Sequence, residues 1–171
     1  MNSKKKSSTF LDIALLILVL GVTILIIRTK IYNLVSNKIL GENLLYLSGA
    51  VPLILLIFQF QALRKITVFL SWMGISVVLL GLFFWLYNDA SLNYLDKAGN
   101  TFNYSHGLAG PFFILLFYQI CRQLSLRYYK IELGIPSRTS DTILEGDRKS
   151  TWIDIMCLIG FFAIPLAFYV F

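Results

Sequence analysis

Along the chain, long apolar runs alternate with short polar stretches that carry nearly all of the charge. Hydrocarbon about 30 Å thick requires around 20 apolar residues in a helix rising about 1.5 Å per residue. Four runs meet that length, at positions 10–27, 44–63, 66–87 and 152–171. A fifth, 108–121, is strongly apolar but has only 14 residues, so it spans only by drawing in polar neighbours; we set its limits at 106–126. The pattern predicts an all-α integral membrane protein, a single transmembrane domain over 1–171 built as a bundle of about five helices.

Two connections are long, an outer loop at 88–105 and an inner loop at 127–151. In the outer loop, 92–96 and 101–104 flank the turn-rich 97–100, which predicts a small hairpin. The inner loop is expected to continue the fourth helix to about Tyr129 and to break at Gly134-Ile-Pro136.

Charge orients the bundle. With the N-terminus inside and five spans, eleven of the fifteen Lys and Arg residues fall inside, and Arg28, Lys30, Lys38 and Lys97 fall outside. The positive-inside rule therefore gives N-in/C-out. The first run lacks a small-x-small cleavage pattern and is followed by Arg28 and Lys30, so it reads as a retained anchor and not a cleaved signal. Trp85 and Tyr87 close the third span and Trp152 opens the last, as interfacial aromatics do, with Tyr169 and Phe171 at the far interface. Trp72, deep in the third span, departs from that placement.

Composition agrees with the runs. The chain is 57% hydrophobic and 14% charged, with mean hydropathy +0.74, against about 45–50% and about 25% in ordinary soluble domains. A soluble domain of this length buries only about 70% of its unfolded surface, so the excess is expected to face lipid. The net charge of +6 sits in clusters flanking apolar runs, which argues for topology and against a nucleic-acid partner. Cys121 and Cys157 lie inside apolar runs with no CxxC or Cys/His spacing, and read as packing residues. No Walker loop, GxSxG elbow, HExxH or second histidine is present. No cofactor and no metal are expected.

Polar residues near the inner ends of the spans are the candidate site. Residues 8–13, Ser-Thr-Phe-Leu-Asp-Ile, recur as 150–155, Ser-Thr-Trp-Ile-Asp-Ile, each opening a span. A capping box explains both, with Thr9 or Thr151 at the cap and Asp12 or Asp154 three positions on; an acidic pair that binds cations or relays protons is the functional alternative. Gln119, Arg122 and Gln123 share one face of the fourth span. An intramembrane Arg is normally paired, so Arg122 either snorkels to headgroups or pairs with Asp12 or Asp154, with Gln59 or Gln61 as neutral partners. The candidate intramembrane cluster is thus Asp12, Gln59, Gln119, Arg122 and Asp154.

His106, alone at the outer mouth of the fourth span, reads as an interfacial residue before a helix whose first turn accommodates Pro111. Two stripes of small residues suit close helix packing in lipid: Ser71, Gly74 and Gly81 in the third span, and Gly160, Ala163 and Ala167 in the last. They would meet each other or another subunit. The charged 145–149 segment reads as a solvated loop. Asn103-Tyr-Ser105 matches a glycosylation sequon, which bears on the protein only if it is made in a eukaryote.

Small size, packing stripes and missing catalytic signatures lead to a non-enzymatic subunit or accessory component of a larger membrane complex. Its expected partners are the lipid bilayer, other membrane-protein subunits or a second copy, and its expected place is the plasma or inner membrane if bacterial. The alternatives are a small oligomeric transporter or channel, lined by Gln119, Arg122 and the two aspartates, and a lipid-acting enzyme using Asp154, Arg148 and Lys149, which lacks a recognisable nucleophile.

Overall fold

In the computed structural model of the chain, the backbone is described for residues 3–31, 37–95, 101–134 and 151–170, and side chains for 13–31, 38–57, 59–94, 101–134 and 151–167. Among the described residues the chain is all-α apart from one small hairpin. Helix α1 spans Ser3–Ile31, α2 Asn37–Ile54, α3 Ile66–Tyr87, α4 Gly110–Tyr129 and α5 Trp152–Val170. Strands β1 (Asn93–Leu95) and β2 (Thr101–Asn103) form the hairpin between α3 and α4. Four segments are long and apolar enough to cross a membrane: Ile13–Ile31, Lys38–Ile57, Ile66–Tyr87 and His106–Tyr129. The part of α5 with described side chains, Trp152–Ala167, is a further apolar helix.

Helix α2 begins seven residues before the expected 44, because Leu40 and Gly41 already face the core while Lys38 points outward. Toward its end Pro52 lacks the N–H that would bond to the carbonyl of residue 48. The helix widens just after, into a π turn at Leu55–Gln59, then tightens into a 3₁₀ turn at Ala62–Arg64. Extended backbone at Lys65 reverses the chain into α3, whose limits match the apolar run.

The short fourth run reaches full length by extension at both ends. A 3₁₀ turn at His106–Ala109 leads into α4, with Pro111 in the first turn, and the helix continues to Tyr129. Lys130 then adopts the left-handed conformation (φ 58°), ending α4 as a C-terminal cap does.

At the hairpin end, β1 and β2 pair antiparallel, with Asn93 opposite Asn103 and Tyr94 opposite Phe102. Buried Asn103 anchors them: its amide donates to the Tyr87 and Asp89 carbonyls and to Asn93, while its own Oδ1 accepts the Ser105 N–H. Tyr104 lies flat on α2 at Gly41, where an added Cβ would come within 2.2 Å of its ring. Lys30, closing α1, pairs with Asp89, just after α3.

The core runs through the middle of the bundle. Trp72, Tyr118 and Phe60 are its largest fully buried side chains, and Phe60 meets Tyr118 edge-on at 5.3 Å and Phe161 at 5.7 Å. Trp72 is therefore a core residue, which accounts for its depth. The outside of the helices is also apolar, with Ile17, Leu70, Phe84 and Leu166 each more than half exposed.

Candidate functional site

The end of the bundle opposite the hairpin holds Asp154 and Arg122, two of the candidate polar residues. Thr151 and Asp154 form a reciprocal cap on α5: the Thr151 N–H and hydroxyl donate to Asp154 Oδ2 at 2.7 and 2.8 Å, and the Asp154 N–H donates to Thr151 Oγ1 at 3.4 Å. The other carboxylate oxygen, Oδ1, accepts the Gly134 N–H at 2.8 Å. On the same peptide unit, the Leu133 carbonyl accepts from Arg64 at 2.5 Å. One peptide group is thus held between a guanidinium and a carboxylate, both charge-assisted contacts. This clamp joins the α2–α3 turn, the segment after α4 and the start of α5, with Asp154 and Leu133 essentially fully buried.

Arg122 has a different partner from those expected. Its Nε and Nη2 donate to the two oxygens of Glu132 at 2.9 and 2.8 Å, a bidentate fork. The reason is local: the left-handed turn at Lys130 folds residues 131–134 back along α4, where Ser125 also donates to the Ile131 carbonyl at 2.8 Å. The Arg122 guanidinium holds the Glu132 carboxyl below its ordinary range.

The remaining members of the expected cluster lie in other surroundings. Gln59 is buried in the π turn and accepts from Trp72 Nε1 at 3.4 Å. The Tyr118 hydroxyl donates to the Phe60 carbonyl at 3.3 Å. The Oε1 of Gln119 is buried and accepts no hydrogen bond among the described residues. Asp12 lies in α1, and its side chain falls outside the described residues, as does the whole 145–149 segment.

The two small-residue stripes face different surroundings and do not pack on each other. Gly160 lies against α4, where an added Cβ would stand 2.1 Å from the Phe117 ring. Ala163 and Ala167 are exposed, Ala167 lining an open apolar cleft of about 430 Å³ with Phe113, Phe117 and Ile164. Gly74 and Gly81 have nothing within 4 Å of an added Cβ, and Ser71, exposed, donates to the Thr67 carbonyl within its own helix. A second apolar groove of about 280 Å³ runs between α1 and α2, with Thr29 and Asn43 among its lining.

His106 stacks on Tyr87 at 5.6 Å and meets Phe83 edge-on at 6.3 Å. Among the described residues, no group of three or more His, Cys, Asp or Glu side chains is arranged to hold a metal. Sequence reasoning missed Glu132 and Arg64; the signal was the Glu132-Leu133-Gly134 stretch just past the end of α4, where a reversal places an acid beside the helix it has left. Cys121 on α4 and Cys157 on α5, read as packing residues, are both free and buried. No protein-family model, curated protein or solved structure matches the chain.

Proposed function

We propose that the chain is an integral membrane protein of five spans, N-in/C-out, that serves as a non-enzymatic small subunit or accessory component of a larger membrane complex. The observation that carries this reading is the outward stripe of α3. Ser71, Gly74 and Gly81 lie on an exposed face with open space before both glycines. In lipid such a face lets a neighbouring helix approach closely, which lipid chains do not require. Apolar side chains over the outside of the bundle support a bilayer surround. Among the described residues of the polar end, the peptide clamp and the Arg122–Glu132 fork hold Arg64, Asp154, Arg122 and Glu132 in structural contacts, which supports a non-enzymatic role.

The test is native-membrane extraction in mild detergent. A co-purifying membrane protein, or a mass above that of one chain with its detergent, is expected. A lone monomer under conditions that keep other complexes intact would contradict the proposal.

One observation favours a second reading, a small oligomeric transporter or channel. The buried Gln119 Oε1 on α4 has no donor among the described residues, as an acceptor lining a permeation path would. Liposome flux that Gln119→Leu abolishes would favour that reading over the first.

A further inference from the structure

Among the described residues α4 and α5 are the most extensively packed helix pair, and contacts at two levels fix their register. At the hairpin end an added Cβ on Gly110 would lie 3.7 Å from Pro165; midway, Gly160 receives the Phe117 ring. About one turn further along both helices, four residues past Phe117 and three before Gly160, the same register brings Cys121 level with Cys157 on the facing sides of α4 and α5. The missing side chain at Gly160 is what permits this approach. Both cysteines are free, at 4% and 0% exposure. Charged or bulky thiol reagents are therefore excluded, whereas a small uncharged oxidant that dissolves through lipid is not.

We propose that Cys121 and Cys157 form a peroxide-sensitive pair that closes to an intramolecular disulfide between α4 and α5. The sulfur of Cys121, the less buried of the two, attacks hydrogen peroxide: the O–O bond breaks, the sulfur takes one OH as a sulfenic acid, and the other oxygen leaves as water with the thiol proton. Cys157 then attacks that sulfur, the S–S bond forms, and the sulfenic oxygen leaves as a second water carrying the Cys157 proton. Two thiols lose two electrons in all, and one peroxide gains them. A thiol at the same level of the facing helix resolves the sulfenic acid before further oxidation. The product staples α5 to α4 beside the Asp154 clamp, making the two helices one rigid unit.

The test is hydrogen peroxide treatment of the full chain in lipid nanodiscs, followed by denaturation, alkylation with maleimide and intact mass measurement. The wild type is expected to lose both alkylatable thiols and the mass of two hydrogen atoms, reversibly with dithiothreitol. Cys157→Ser should instead accumulate a Cys121 sulfenic acid that dimedone traps, and the wild type should not. Two thiols still alkylatable in the wild type, or thiols lost to sulfinic or sulfonic acids without a disulfide, would overturn the proposal. The wild-type mass decides the matter even if the serine variant fails to fold.

Discussion

Arg122 and Asp154 show what single residues do at the polar end. Arg122 is held by Glu132 in a fork whose acid remains 39% exposed on its side chain, so solvent screening limits its worth. A double-mutant cycle by thermal melting should give a coupling of about 1 kcal/mol between Arg122 and Glu132. The same cycle between Arg122 and Asp154 should give none. Asp154→Ala removes the cap on α5 and leaves the buried Gly134 N–H without its acceptor, at a cost of about 2 kcal/mol. Asp154→Asn keeps an oxygen acceptor and should cost less. At the hairpin end, the Lys30 ammonium first, then the Ser91 hydroxyl, pull the Asp89 carboxyl down to about 2. Its folded value lies below the unfolded one, so the stabilisation is present above about pH 4 and is lost as pH falls towards 2. Melting of the wild type should therefore decline by about 1 kcal/mol over that interval relative to Asp89→Asn.

Among the elements, length and periodicity carried most of the information. The third run matches α3 at both ends because an extended Lys65 before it and the turn after Tyr87 bracket an uninterrupted apolar segment. The hairpin was legible from the turn-rich centre between alternating stretches, though nothing local announced that Asn103 would anchor it or that Tyr104 would need a glycine at position 41. The π turn after Pro52 and the fold-back after Lys130 were not legible. Both depend on which distant side chains reward an irregular backbone: Tyr118 at the Phe60 carbonyl, and Arg122 and Ser125 beside the returning strand of chain. The five candidate polar residues were grouped across helices by depth, and depth does not specify azimuth around a helix. Glycines test this point. Gly160→Ala forces a methyl into the Phe117 ring and should cost about 1–3 kcal/mol. Gly74→Ala meets open space and should leave the melting temperature of the isolated chain unchanged or raised, since alanine favours a helix by about 1 kcal/mol.

For the whole molecule, the account places five helices in a bilayer with their apolar exterior against lipid and one glycine-bearing face of α3 against a partner. An odd number of spans puts the two termini on opposite sides, which protease protection of terminal tags reads directly. Site-specific photocrosslinking in native membranes tests that face of α3, with a benzophenone side chain placed at position 74 on the open stripe and, as control, at exposed Ile17 of α1. The account predicts one discrete crosslinked species from position 74, to another membrane protein or a second copy, and only lipid adducts from position 17. Lipid adducts alone from both positions would contradict it.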